Sequence, residues 1–216
     1  MAYVNGHPAW ADISLNLETG HLFIQENWRY HWTVEPGASP WTLAQRRHFH
    51  NTLDRQIWSV WSNRVHIRMR GNHPLVRRFP GGLPSVEFDI HWVLKGGQWT
   101  VNVRKMPPGS TPTSFVSNVD LPTHTINLDS ADLAAYQPSN AVGDTRTFRA
   151  GPHEFGHTMP DPGGTGQGNH DEYVGGEVGT ADTDSVMNIG HQLRARHLSA
   201  LLTELHRMVP AVVFSA

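Results

Sequence analysis

Residues 41–62 constrain the fold of this chain most, because they have the periodicity of a helix while the segments on either side are patterned as strands. Their apolar side chains recur at steps of three and four residues, as in a helix that packs one face on a sheet. This spacing predicts a long helix with Ser39 as N-cap and Pro40 as its first residue. The apolar stripe consists of Leu43, Phe49, Leu53, Ile57, Val60 and Trp61.

The segments around this helix predict a sheet. Residues 12–34 are strand-like, with a turn signal at Glu18-Thr19-Gly20. Further strands are predicted at 65–69, 86–94, 99–103 and 125–128, and the glycine-containing segment 95–98 predicts a hairpin between the two middle ones.

The later part of the chain is predicted to contain two more helical regions, one leading into residues 153–157 and one over residues 193–208. The chain shows no internal repeat and no clear domain boundary. We therefore expect one α+β domain over residues 1–216, strand-rich to about residue 140 and carrying its site from about residue 141 onward.

Composition excludes several classes of site. The 216 residues include 15 His and no Cys, so a disulfide framework, a thiolate metal site and a cysteine nucleophile are all excluded. The formal net charge is −2 without a long run of like charge, which predicts neither a nucleic-acid partner nor binding to an anionic membrane. No segment approaches the roughly 20 apolar residues of a membrane span. The N-terminus has neither the basic nor the apolar region of a standard signal peptide, and the chain could also be a piece of a larger protein.

The segment H-E-F-G-H, residues 153–157, has the spacing of a zinc site. On a helix, His153 and His157 share one face and can converge on one ion. Glu154 then lies where it can take a proton from water as that water attacks a carbonyl, and zinc makes such a water far more acidic. In a chain this rich in histidine, the motif would arise by chance with a probability of roughly 4%.

A catalytic zinc usually has three protein ligands, so the two histidines need a third. The segment N-H-D-E-Y, residues 169–173, supplies three chemically suitable candidates: His170, Asp171 and Glu172. Tyr173, His191 and His197 are candidates for stabilising the oxyanion that forms when water attacks, although for each a structural hydrogen bond explains the residue equally well.

H-E-F-G-H, the following D-E-Y, the segment S-V-M-N at residues 185–188 and R-H at residues 196–197 together resemble bacterial toxin-type zincin metallopeptidases. The resemblance covers roughly residues 145–210. It implies a zincin-like fold with a twisted mixed sheet, a backing helix formed by residues 41–62 and an active-site helix. It also implies a metzincin-like Met-turn, in which Met187 packs beneath the metal and beside the two histidine rings.

The sequence departs from the metzincin signature after the second histidine. Pro160 and Gly163 stand at the positions of the signature glycine and third ligand, and an insertion precedes D-E-Y. In an uninterrupted pattern Asp171 would be the ligand, but after an insertion the longer Glu172 reaches further. We therefore keep both and prefer Glu172, with His170 next. Glu177 ranks lowest, by analogy with gluzincins, whose third ligand is a later glutamate.

The sequence thus predicts a zinc-dependent metallopeptidase that hydrolyses peptide bonds, with Zn²⁺ as cofactor and a protein or peptide as substrate. The resemblance implies a secreted effector or toxin that leaves the producer's cytoplasm without a standard signal peptide, with secretion-machinery or immunity-protein partners. Two alternatives stay open. One is a zinc amidase acting on cell-wall peptidoglycan, and the other is a non-catalytic metal-binding module.

Overall fold

The computed structural model describes residues 3–111, 116–137, 147–160, 169, 171–172 and 180–216. In these ranges the chain forms nine strands and four α-helices, an α+β architecture as predicted. The strands are β1 (Tyr3–Gly6), β2 (Asp12–Asn16), β3 (His21–Val34), β4 (Arg68–Arg70), β5 (Ser85–Trp92), β6 (Trp99–Lys105), β7 (Asn118–Asp120), β8 (Thr125–Asp129) and β9 (Val213–Ser215). The helices are α1 (Leu43–Trp61), α2 (Pro74–Arg78), α3 (Ala150–His157) and α4 (Ser199–Met208).

Seven strands form one mixed sheet around the long strand β3. Strands β1, β2 and β3 are antiparallel neighbours, β3, β6 and β8 are parallel, and β7 closes the edge antiparallel to β8. Alternate residues of β3 are buried from Leu22 to Tyr30, as expected for a strand with one face in the core. Strands β4 and β9 form a separate two-stranded sheet, so only the end of the predicted strand 65–69 is realised.

The predicted hairpin between β5 and β6 is wrong. The turn has the expected glycines, with Gly96 and Gly97 at φ of 67° and 95°, but the two strands do not pair with each other. Both run parallel to β3, with β5 along residues 21–28 and β6 along residues 28–34. The fourteen residues of β3 are long enough to pair with each strand in turn, which sequence periodicity does not reveal.

Helix α1 confirms the predicted long helix, but it begins later than predicted. Thr42 is the N-cap, and it forms a reciprocal capping box with Gln45. The hydroxyl of Ser39 instead accepts a hydrogen bond from Lys105 Nζ at 3.0 Å. Leu43, predicted to belong to the apolar stripe, is 58% exposed, and the buried face begins at Phe49.

Helix α1 lies between the sheet and α3, and so places the site on the fold. Its buried side chains pack on β5 and on α3. Trp61 Nε1 donates to the main-chain carbonyl of Pro152 at 2.9 Å. A Cβ on Gly151 would lie 2.2 Å from Leu53 Cδ1, so the close approach of the two helices requires glycine there.

The C-terminal helical region is split in two. A 3₁₀ turn over Ala195–Leu198 precedes α4, so Leu193 and Arg194, which are predicted to begin the helix, lie outside both. Helix α4 packs on β1 and β9. No helix in the described ranges is both long and apolar enough to cross a membrane.

Candidate metal centre

Helix α3 carries both histidines of H-E-F-G-H on one face. It begins at Ala150, so Pro152 lies in the first turn, where the missing N–H costs no intrahelical hydrogen bond. The rings of His153 and His157 have centroids 4.9 Å apart and planes at 81°. The predicted site helix is thus present, and the proline is compatible with it.

Three donor atoms meet at the Nε2 side of these rings. The Nε2 atoms of His153 and His157 are 3.2 Å apart, and Asp171 Oδ1 lies 2.8 Å from the first and 3.1 Å from the second. Ligands of a tetrahedral zinc ion at about 2.0–2.1 Å are separated by roughly 3.3 Å. The donor set and its spacing therefore fit a zinc ion, which His153, His157 and Asp171 could hold together.

Main-chain carbonyls fix the orientation of both rings. His153 Nδ1 donates to the carbonyl of Val186 at 2.9 Å, and His157 Nδ1 donates to the carbonyl of Asn169. Because a carbonyl only accepts, each Nδ1 carries a proton, and the Nε2 atom of each ring is the one that faces Asp171. Outer hydrogen bonds of this kind orient the histidine ligands of metal sites.

The charges of the group favour cation binding. Burial raises the pKa of Asp171, but hydrogen bonds from His153 and His157 outweigh it and hold that pKa far below its usual value. Burial lowers the pKa of His157, while Asp171 and Glu154 raise it, with a net increase. Asp171 is therefore ionised and Glu154 contributes a further acidic group, as a divalent ion requires.

Glu154 lies beside the three donors without joining them. It is buried at 5% exposure, and its Oε2 has no hydrogen-bond partner among the described residues. Burial raises the pKa of this carboxyl, an effect that His153 and His157 oppose and Asp171 reinforces. A buried carboxylic group with one free oxygen is suited to exchange a proton with a molecule in the site.

The structure reverses the sequence preference between the two acids. Glu172 points away from the histidines and accepts from Arg196 Nε and Nη2 at 2.5 and 2.7 Å, with His197 Nε2 3.1 Å away. Burial raises the pKa of Glu172, but its bonds to Arg196, Ser185 and His197 lower it overall. The longer Glu172 side chain is engaged by the exposed Arg196, and the shorter Asp171 faces His153 and His157.

The segment around Met187 packs beneath α3. Met187 is fully buried, and a Cβ on Gly156 would lie 2.2 Å from its sulfur. Its carbonyl accepts from the main-chain N–H of Glu172 at 2.8 Å, while Val186 accepts from His153. Met187 therefore packs on the site helix at Gly156, one residue before His157, while its position beneath a metal and beside the two histidine rings stays a prediction.

The three oxyanion candidates have different outcomes. His197 Nδ1 accepts from the main chain of Arg194, so Nε2 carries the proton and faces the Glu172 carboxylate. It is buried in a structural network and is not free to bind an oxyanion. His191 lies beside a separate cleft described below. Tyr173 falls outside the described residues, as do the alternative ligands His170 and Glu177.

Sequence reasoning missed Asn169, which lies two residues before Asp171 and forms hydrogen bonds with α3. Its carbonyl accepts from His157, and its side-chain Nδ2 donates to the carbonyls of Gly156 and His197 at 3.0 and 3.2 Å. Its place two residues before Asp171 was the only available signal, because nothing in its residue type distinguishes it from a loop asparagine.

Two buried acids near the site were also missed. Glu26, an inward residue of β3, accepts from Thr158 Oγ1 at 2.5 Å and Trp28 Nε1 at 2.8 Å, and burial raises its pKa to about 8. Burial, followed by the charges of Asp129 and Glu154, raises the pKa of Asp132 to about 7. Alternation along β3 marks position 26 as inward, so Glu26 could have been found. For Asp132 no such pattern exists.

Comparison with known proteins adds no further assignment to this site. A scan against protein-family models, a search of curated proteins and a search of solved structures each gave no match.

Proposed function

We propose that this chain is a zinc-dependent metallopeptidase with a zincin-like fold. The observation that carries the proposal is the triangle of His153 Nε2, His157 Nε2 and Asp171 Oδ1, with Glu154 buried beside it. A structural zinc site uses four protein ligands, whereas a catalytic one uses three and keeps a position open. Three donors with an adjacent unpaired carboxyl match the second arrangement.

In this proposal each residue has a separate task. His153, His157 and Asp171 hold the ion, and the carbonyls of Val186 and Asn169 keep the rings in place. A zinc ion bound there supplies Lewis acidity and lowers the pKa of a coordinated water to about 7.

Glu154 moves the proton. Its carboxylate accepts a proton from water as the oxygen adds to the carbonyl carbon of the peptide bond. The Glu154 carboxyl then passes this proton to the amide nitrogen as the C–N bond breaks, giving a carboxylic acid and an amine. Transfer of the acid's proton to the amine leaves a carboxylate and an ammonium group. Burial of Glu154 supports this role, because burial raises the pKa of this carboxyl and so makes its carboxylate a better proton acceptor.

The proposed setting is a bacterial secreted effector, and it rests on the resemblance of H-E-F-G-H, D-E-Y and S-V-M-N to toxin-type zincins. The substrate class follows from the same resemblance. A peptidoglycan amidase would use the same residues, so peptidoglycan belongs among the substrates to be tested.

The test compares Glu154→Gln with His153→Ala, measuring zinc content and hydrolysis of an unfolded protein substrate and of peptidoglycan. Gln is nearly isosteric and Glu154 is not one of the three donors, so zinc content should stay near wild type while hydrolysis falls by about 10²- to 10⁴-fold. His153→Ala should lose zinc and hydrolysis together. Full activity of Glu154→Gln would contradict the mechanism, and hydrolysis of peptidoglycan alone would replace peptidase by amidase.

A further inference from the structure

A cleft of about 1030 Å³ lies beside the metal centre, between α1, the residues preceding α3 and residues 191–194. The residues preceding α3 link the cleft to the site. Arg149 lines the cleft directly before α3, and the ring of its neighbour Phe148 lies 4.9 Å from the ring of His153 between centroids. The segment of Phe148 and Arg149 therefore connects the cleft to the first metal-site histidine.

The cleft is strongly cationic. Arg55, Arg64, Arg149 and Arg194 line it, and its described lining contains no Asp or Glu. Arginine stays charged at all physiological pH values. Only Arg194 is neutralised, by Asp182 at 2.6 Å.

The other three guanidinium groups have no carboxylate partner in the described ranges. Arg55 donates to the carbonyl of Asn51 at 3.0 Å and Arg64 to that of Ser59 at 2.9 Å, contacts that orient the groups without adding a counter-charge. The charge of Arg55 also acts on the Asp54 carboxyl, which does not line the cleft and forms no ion pair with Arg55. Like charges gathered without counter-charges raise the free energy of the fold, so an anionic ligand would relieve this repulsion.

His191 adds an unused polar atom to the same wall. Its Nε2 is buried and has no hydrogen-bond partner among the described residues. Burial, and secondly the charge of Arg149, lower the pKa of this ring. Buried polar atoms are normally paired, so an unpaired one that lines a cleft indicates a place for a ligand atom.

We propose that this cleft binds an acidic segment of the substrate polypeptide, with its carboxylates held by Arg55, Arg64 and Arg149. The inference rests on the proposed peptidase function, which gives the neighbouring cleft a polypeptide to hold. The lining favours a peptide over nucleic acid, because its described residues include no Phe, Tyr or Trp ring on which a base could stack. Val60 and Leu193 instead supply apolar contacts, and hydroxyl and amide side chains can bond a peptide main chain.

The test measures binding separately from hydrolysis. Fluorescence anisotropy of the full chain, carrying Glu154→Gln to prevent cleavage, compares a labelled peptide of alternating Glu and Ser with its Gln and Ser counterpart. We expect the acidic peptide to bind at least about tenfold more tightly and to weaken as salt is added. Equal affinity for the two peptides, or tighter binding of a single-stranded oligonucleotide, would overturn the proposal.

Two charge-matched double variants locate the binding. Arg55→Gln with Arg64→Gln removes two exposed charges from the cleft and should weaken the acidic peptide by about tenfold. Arg47→Gln with Arg68→Gln removes two exposed charges elsewhere and should change affinity by less than about twofold. An equal loss in both pairs would mean that only overall charge matters, and the cleft would not be the site.

The two proposals fail in different ways. Arginine-dependent binding of the acidic peptide without cleavage of any polypeptide by the wild type would retain the cleft and remove the peptidase. Cleavage of polypeptides with no preference for acidic residues would retain the peptidase and remove the cleft.

Discussion

Met187 and Gly156 touch, with the methionine sulfur against the backbone of α3 between His153 and His157. A Cβ at position 156 would lie 2.2 Å from the sulfur and 3.1 Å from Trp61 Cζ2. Through this contact the segment 185–188 packs against α3. The same segment provides the carbonyl that orients His153.

Gly156→Ala should therefore destabilise the protein. A helical alanine gains up to about 1 kcal/mol over glycine, but overpacking a filled site costs about 1–3 kcal/mol, and we expect the second effect to exceed the first. The free energy of unfolding, measured by urea titration, should fall. The control is Gly81→Ala, because no atom lies within 4 Å of a Cβ built there.

Adding Met187→Ala to Gly156→Ala should give a combined loss smaller than the sum of the two single losses, because the alanine methyl then occupies space that the thioether has left. Strict additivity would show that the contact between these residues does not determine the effect.

Asp171 and Glu172 should respond differently to substitution. Asp171→Ala removes one of three donors, so the dissociation constant for zinc should rise by more than about 100-fold. This is a larger loss than is typical for replacing a residue that only hydrogen-bonds to a ligand. Glu172→Gln leaves the donors in place but breaks its paired bonds with Arg196, and should cost about 1–3 kcal/mol of stability with at most about a tenfold loss of zinc affinity. Competition with a chromophoric chelator measures both constants, and the opposite order would make Glu172 the ligand.

Zinc should raise the thermal stability of the wild type. The three donors come from α3 and from the segment that contains Asp171, so the unfolded chain does not present them together. At a free zinc concentration about 1,000 times the dissociation constant, binding adds about 4 kcal/mol to the free energy of unfolding. Scanning calorimetry with and without a chelator measures the shift in Tm. His157→Ala should abolish it, and an undiminished shift in that variant would place the ion elsewhere, on another part of this histidine-rich chain.

Glu26 should make stability depend on pH. Its folded pKa is about 8, against an ordinary value of 4.5, so between these values the unfolded chain releases a proton that the folded chain keeps. Stability from this group is therefore present in full below about pH 4.5 and declines as pH rises, by up to about 1.4 kcal/mol per pH unit until pH 8. Glu26→Gln does not titrate.

The measurement is the difference in unfolding free energy between Glu26→Gln and wild type across this pH range. The variant loses a hydrogen bond, so its stability at one pH carries no prediction, but its stability relative to wild type should increase with pH. Glu18→Gln, at an exposed position, is the matched control for replacing a Glu by Gln. A difference that stays constant with pH for Glu26→Gln would show that Glu26 ionises freely in the fold.

Local sequence patterns predicted the elements that depend on local physics. The steps of three and four residues from Phe49 to Trp61 place one face of α1 in the core, since that face is determined by helical geometry alone. The i, i+4 spacing of His153 and His157 likewise brings the two rings together on any helix. The α+β class and the two-histidine part of the site could therefore be read from the sequence.

Tertiary contacts decided the rest. The turn at Gly96 and Gly97 is compatible with a hairpin between β5 and β6. Both strands instead pair with β3, which is long enough to hold each of them along a different part of its length. Asp171 and Glu172 are adjacent acids of similar chemistry, and their order along the chain does not tell which faces the ion. Arg196, twenty-four residues after Glu172, binds the Glu172 carboxylate, and Asp171 is the acid that faces His153 and His157. Spacing along the chain determines what shares a helix face, whereas partners distant in sequence are chosen by burial and charge once the chain has folded.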